Sequence, residues 1–425
     1  MKLTPKTTIF CLLLFFVLGW CTQQFALFDV GRFSFPLILF VGLPFCLRIT
    51  YRSLGAFALP IASTIFAILI GWVQGIALSR MLSQAILAAL AIAFGAGIAA
   101  INWHKHRDSL EKALVVIGIP VVVYGCYQMA ARVAHLPGAF LPITNKQYYA
   151  DGAMQLGWNK PEFTRASSVF SEPSEFAYFC LWLFVIGLAS ENKKLRMIAL
   201  LLSGAGLLAS QSLSGVLTAA VVALAFCVMQ GISRQLLRNV FLLMIVFGVL
   251  ALALKALAPA AYTSFSERIV QAVSFDERAD SGRVDHLPAC FALIKASPVW
   301  GYGMSSLAGA PDSGGADVTT VNYVLVTMER GAVGALLFFI PWFSFAIRAW
   351  FMPRRAGGRT FVFLLMVMTL CSFFSFSIAY FLPFWLAYGV SASLVLQTHA
   401  VAPRKGSSLA QSYGESFANR FGSAT

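Results

Sequence analysis

Apolar runs of 17 or more residues recur along the whole chain. Runs of that length predict transmembrane helices. About twelve are expected, near 7–27, 33–48, 54–73, 81–101, 113–134, 173–190, 197–211, 214–231, 239–257, 322–347, 360–377 and 380–397, two of them short. In lipid the backbone must satisfy its own hydrogen bonds, so helices are the default over strands. A transmembrane barrel would alternate over segments of about ten residues, and no such alternation is present. "SQSLSG" (210–215) interrupts two runs and reads as a tight turn or a broken helix. The first run exceeds a signal-peptide core and lacks a small-residue cleavage site, so it is read as a retained helix. The expectation is an all-α polytopic membrane protein: one transmembrane domain over 1–397, then a polar Ser/Gly-rich tail, 398–425, of disordered composition.

Two interruptions are long and polar, about 135–172 and 258–321. Loops of that length are uncommon unless functional. Charge sorts the remaining connections. Lys2, Lys6, Arg48, Arg52, Lys105, Arg107, Lys112, Lys193, Lys194, Arg196, Arg234, Arg238, Arg348, Arg354, Arg355, Arg359, Arg404 and Lys405 all fall on one side if successive runs cross in turn. The opposite short loops hold only Arg32 and Arg80. That is the positive-inside pattern, with both termini cytoplasmic and both long segments outside. It gives the net charge of +14 a topological reading, and no nucleic-acid partner is expected.

Only 11 % of the 425 residues are charged, against roughly 25 % in soluble domains, which removes the soluble classes. Seven of the eight cysteines lie in apolar runs, where Cys acts as a small hydrophobe, and Cys290 is alone in the second long segment. No disulfide framework and no metal-ligand spacing is present, so no metal is expected. There is no phosphate-cradling Gly-Lys-Ser/Thr loop and no dinucleotide fingerprint, so no cofactor is expected.

Four stretches carry candidate chemistry. "FTRASSVFSEPSEFA" (163–177) gathers Arg165, Glu172 and Glu175 before an apolar run. Pro173 suits a first helical turn, and both carboxylates suit a helix N-terminus. Arg165 does not fit that explanation. A salt bridge to Glu172 and a phosphate ligand are both open, since the guanidinium fork matches phosphate oxygens. In "DSGRVDHLPACFALIKASPVWGYG" (280–303), Arg283, Asp285 and His286 precede a segment whose Leu287, Phe291 and Ile294 can lay a helix on the membrane surface. The "SPVWGYG" run closes it as a turn. An ordinary Arg283–Asp285 pair in a solvated loop is equally open. In "NYVLVTMERGAVG" (322–334), Asn322 opens a span, with Glu329 and Arg330 about two turns in. Charges there face a cavity or pair with another helix. Ser210, Ser212 and Ser214 sit at the "SQSLSG" break, where hydroxyls serve helix packing or contact a sugar.

The order of these motifs resembles the O-antigen polymerase/O-antigen ligase superfamily (Wzy-like). The resemblance covers about 163–340. It implies a bacterial inner-membrane glycosyltransferase with a periplasmic active site. The implied donor is a glycan on undecaprenyl pyrophosphate, passed to an acceptor hydroxyl without metal or nucleotide. A chain-length regulator and a flippase are the implied partners. Arg165 and Arg283 match the family arginines thought to hold the pyrophosphate. Glu172, Asp285 and His286 are then the candidates for the base, and Ser212, Ser214, Asn322 and Glu329 for further substrate contacts. Ligases of the family carry a His immediately before the Asn of "NYVLV". Here that position is Val321, which argues for a polymerase over a ligase. A transporter or lipid-linked oligosaccharide flippase with twelve spans is the alternative from another class.

Overall fold

The computed structural model describes residues 5–30, 33–145, 155, 164–230, 287–304, 322–353, 358–374 and 381–401, with isolated positions between 248 and 270. In chain order the described elements are α1 (Pro5–Cys21), β1 (Ala26–Val30), β2 (Phe33–Pro36), α2 (Leu37–Cys46), α3 (Tyr51–Gly55), α4 (Ala58–Val73), α5 (Leu78–Ala99), α6 (Trp103–Ala134), α7 (Pro173–Ala189), α8 (Lys193–Ser210), α9 (Leu213–Gln230), α10 (Leu287–Ala296), α11 (Asn322–Phe351), α12 (Arg359–Ser372) and α13 (Leu382–Val401). Helices α6, α9 and α11 are long and apolar enough to cross a membrane, and shorter apolar helices accompany them. The chain is a helical membrane protein.

Local chemistry starts α7 where the sequence predicts and opens α8 a turn before the expected 197. Pro173 occupies the first turn of α7 after an extended Glu172, with Glu175 in that turn. The Asn192 side chain accepts from Lys194 N and Leu195 N to open α8. One end of the bundle collects basic residues. There Arg107 Nε meets Glu111 Oε1 at 2.6 Å, and Arg107 Nη2 donates to the Ala189 carbonyl. Arg359 Nη2 donates to the Trp350 carbonyl, and Ser393 Oγ to the Ile101 carbonyl. Measured from this basic end, α12 is about 20 Å long and α7 about 25 Å. Aromatic rings pack as a layer at the inner limit of α12 and α13. Phe373 lies 4.9 Å from Phe384 and 5.1 Å from Trp342, and Tyr178 4.9 Å from Phe384.

The helical class stands, and the expected runs change locally in three ways. β1 and β2 form an antiparallel two-stranded hairpin between the first two helices. That hairpin also shortens the run expected at 33–48. Its first residues pair as strand, with Val30 opposite Phe33, and only Leu37–Cys46 is helix. Ten residues make about 15 Å of helix, half the hydrocarbon thickness. The chain still runs the length of the bundle here, since Gln23 reaches Glu175 at the far end while Arg52 Nη2 meets the Leu396 carbonyl at the basic end.

The third correction concerns α11, expected as one span over 322–347. Gly331 has φ 57 and ψ −172, outside any helix. In a straight helix residues 323 and 339 would stand about 24 Å apart, yet the Tyr323 and Phe339 rings are 4.7 Å apart. Helix α11 therefore folds back on itself at Gly331, with arm 322–330 alongside arm 332–351. Tyr323 also packs on Phe373 at 5.9 Å, and its hydroxyl donates to the Leu370 carbonyl. So Asn322, expected to open a span at the outer surface, sits in the aromatic layer, and Glu329 and Arg330 sit at the far tip. The run expected at 239–257 lies almost entirely outside the described residues.

Candidate active site

The tops of α7, α8 and α9 meet at the far end, and the loop before α7 descends among them. Thr164, Ala166, Ser167, Ser168, Phe170 and Ser171 are all buried. Irregular backbone among membrane helices needs partners from protein, and two glutamines supply them. Gln128 of α6 accepts from Ser167 N at 2.8 Å and Ser168 N at 2.7 Å. Its amide donates to Gln155 Oε1, and Gln155 in turn donates to the carbonyls of Ser168 and Phe170. Ser168 Oγ reaches the Val121 carbonyl, well inside α6. The expected outer loop 135–172 is thus, over 164–171, an inward fold held by side-chain amides.

Arg165 is half-buried on this loop, and its Nε donates to the Ser210 carbonyl at 3.3 Å. The neighbouring Ala166 N donates to the Ala209 carbonyl. Together they satisfy the open carbonyls at the C-terminus of α8, where a cation is favoured. Gln211 then turns the chain with φ 47, and Ser212 caps α9: its hydroxyl accepts from Gly215 N. "SQSLSG" is therefore a tight turn. Ser212 and Ser214 hydroxyls lie 3.2 Å apart. Ser214, Ser174, Tyr178, Thr218 and Ser372 line a cavity of about 10 Å³, room for one water.

Both carboxylates of the α7 start are engaged. Glu172 Oε2 accepts from Ser174 Oγ at 3.0 Å. Glu175 is buried. It accepts from Ser171 N and Ser171 Oγ through Oε2, and from Gln23 Nε2 through Oε1. Asn322 N donates to the Phe373 carbonyl, beside Ser372. The Asn322 side chain is fully buried, with neither polar atom hydrogen-bonded among the described residues.

Of the residues singled out by sequence, Arg165, Ser212, Ser214 and Glu172 thus follow one polar path at the tops of α7, α8 and α9, linked through Ser210 and Ser174, whereas Asn322 sits in the aromatic layer at the end of α12. Glu329 lies apart, at the tip of α11. Arg283, Asp285 and His286 lie outside the described residues. Sequence reasoning missed Gln128 and Ser171, which hold the loop, and underused Glu175. A glutamine inside the apolar α6 was the available signal. Chemically, this end of the bundle offers the Arg165 guanidinium, the carboxylates of Glu172 and Glu175 and several hydroxyls.

Two family models match the chain. One, described as WcaD colanic acid polymerase, matches residues 9–268. The other, described as O-Antigen ligase, matches residues 198–339. No curated protein matches the chain.

Proposed function

The chain belongs to the WcaD colanic acid polymerase family, and from that premise we propose that it is a membrane glycosyltransferase that polymerises lipid-linked oligosaccharide repeat units. The family match over residues 9–268 carries this reading. The proposed donor is a glycan on undecaprenyl pyrophosphate, used at the periplasmic face of the bacterial inner membrane. About twelve crossings with both termini cytoplasmic remain part of the proposal.

The chemistry follows from the donor. An acceptor hydroxyl on the next repeat unit attacks the anomeric carbon. The bond from that carbon to the pyrophosphate oxygen breaks, and the lipid pyrophosphate leaves with the electron pair. Fixed cations lower the barrier as that charge grows. Arg165 and Arg283 take this role. Glu172, Asp285 or His286 takes the hydroxyl proton. Glu172 is favoured among them by its place on the path that Arg165 begins, through Ser174 and Ser214. Neither metal nor nucleotide enters.

A ligase is the second reading, favoured by the match of 198–339 and opposed by Val321 in the place of the family's ligase histidine. Deletion of the gene separates the readings. Loss of long polymer with single repeat units kept on the cell surface is the expected result. Loss of all surface glycan with lipid-linked polymer accumulating indicates a ligase. Repeat units that never reach the periplasm indicate a flippase. Purified protein given a lipid-linked repeat unit should make polymer in chelator without nucleotide, and failure there removes the proposal.

A further inference from the structure

Glu175 does more than cap α7. With Glu172 as the N-cap, it stands at the third helical position, from which a capping glutamate reaches back to the chain just before the helix. Its Oε2 accepts from Ser171 N at 3.2 Å and from Ser171 Oγ at 2.6 Å. Its Oε1 accepts, outside the helix, from Gln23 Nε2 at 3.3 Å. Local capping accounts for the first two bonds and not for the third. That bond joins residues 152 positions apart and ends on a turn that is itself braced. Asn145 Nδ2 donates to the Gln23 carbonyl. Thr144 N and Asn145 N both donate to the Gln24 carbonyl, and Ala26 N donates to Thr144 Oγ1. Just before this turn, the Trp20 ring packs 5.1 Å from Phe179 of α7 and 6.5 Å from Phe170 of the loop. Gln23, Ser171 and Glu175 are all buried. A buried carboxylate among membrane helices is costly unless donors surround it.

We propose that Glu175 is a positioning residue for Glu172, which it holds in place by fixing Ser171 against Gln23. The part concerning transfer rests on the polymerase reading with Glu172 as the base. Two bonds of Glu172 come from the helix start itself: Phe176 N donates to its carbonyl and Ser174 Oγ to its carboxylate. Upstream, Gln155 fixes the loop as far as the Phe170 carbonyl. Ser171 lies between, and both of its donors go to Glu175. The Glu175 carboxylate therefore joins the start of α7 to the braced turn after α1, at the residue next to Glu172. Buried and turned to protein donors, Glu175 acts through Ser171 and not on substrate. A general base works only within hydrogen-bond reach of the proton it takes, and a misplacement of about 1 Å can cost on the order of a hundredfold in rate. The turn 22–26 is the fixed point against which that reach is set.

The experiment compares full-length wild type, Glu175→Leu, Glu175→Gln, Gln23→Leu and Glu172→Gln in nanodiscs. Amide hydrogen exchange of peptides spanning Ser171 and Glu172 reads the hold. Initial rates with the undecaprenyl-pyrophosphate-linked repeat unit from the same cells give kcat and KM. Glu175→Leu keeps bulk and offers no acceptor. Its exchange should be at least about ten times faster, and its kcat about ten-fold lower with KM within about two-fold of wild type. Glu175→Gln keeps an oxygen for Ser171 and, with the Gln23 amide turned over, a bond to Gln23, so it should recover most of both losses. Gln23→Leu removes only the bond that leaves the helix. It should speed exchange and lower kcat about three-fold, and it carries the test if Glu175→Leu does not fold. Unchanged exchange in Glu175→Leu removes the hold. Wild-type kcat in Gln23→Leu reduces Glu175 to a local cap. A loss in Glu175→Gln as deep as in Glu175→Leu overturns positioning, because the charge itself is then required. Wild-type kcat in Glu172→Gln refutes the base, and no polymer from wild type refutes the polymerase reading, while exchange still decides the hold in both cases.

Discussion

The tip of α11 and the loop 164–172 both place irregular backbone among packed helices, and they satisfy it by opposite means. At the tip, backbone answers backbone: 297–304 exchanges four hydrogen bonds with the ends of the two arms. In the loop, side chains answer backbone, with Gln128 and Gln155 making most of the bonds. The first solution requires close approach, and therefore glycine. A Cβ on Gly331 would overlap the Val299 carbonyl, and one on Gly301 would overlap Gly331 N. The second tolerates ordinary side chains and depends on the polar reach of particular residues. A backbone lock resists any added atom, whereas an amide lock fails when one functional group is lost.

The largest expected effect breaks the first lock. Gly331→Ala adds a methyl where φ is 57 and ψ −172, a region essentially restricted to glycine. It also collides with the Val299 carbonyl. We expect folded protein in membranes to fall to background, read by detergent-solubilised size-exclusion profiles. A normal profile would mean that the tip can open without cost. Gln128→Leu breaks the second lock more mildly. Two buried N–H groups, Ser167 and Ser168, lose their acceptor, at about 1–3 kcal/mol each. We expect folded protein with a thermal midpoint clearly below wild type, and a loop newly open to protease.

These two regions also differ in how far they could be read beforehand. The glycines of "SPVWGYG" and the charges of "MERGAVG" were visible as separate anomalies. Their partnership was not, because nothing in a single sequence says that residues 298 and 332 touch. Helical periodicity continues across Gly331, so a fold-back looks like a long span. The α7 start was legible to the residue, since Pro173, Glu172 and Glu175 follow local capping rules that need no tertiary context. The burial of loop 164–172 among the helices was not legible. Its serines satisfy backbone in a buried loop as readily as they face water, and only Gln128, in α6, distinguishes the two.

Arg165 sharpens the comparison, because it belongs to the side-chain-held loop and yet caps a backbone end. If it only caps α8, Lys should replace it at a cost within about 1 kcal/mol, the usual worth of a cation at a helix C-terminus. If the same guanidinium also grips a diphosphate, Lys loses the bidentate fork. We expect Arg165→Lys to keep the thermal midpoint near wild type while polymer formation falls about ten-fold or more. Equal loss of both would reduce Arg165 to a cap.

The smallest expected effect separates the same two roles at Ser212. As the cap of α9, its hydroxyl accepts from Gly215 N at 3.3 Å. Replacing a Ser cap by Ala costs about 1 kcal/mol, whereas Gly costs only a few tenths. Gly and Ala both remove the hydroxyl, so a sugar contact would be lost equally in either. Capping alone therefore predicts that Ser212→Gly is more stable than Ser212→Ala, with polymer formation following stability in each. A sugar contact predicts that both variants lose polymer to the same extent while their thermal midpoints still differ. We expect the first pattern, because Ser212 is almost fully buried and its hydroxyl is already shared between Gly215 N and the hydroxyl of Ser214.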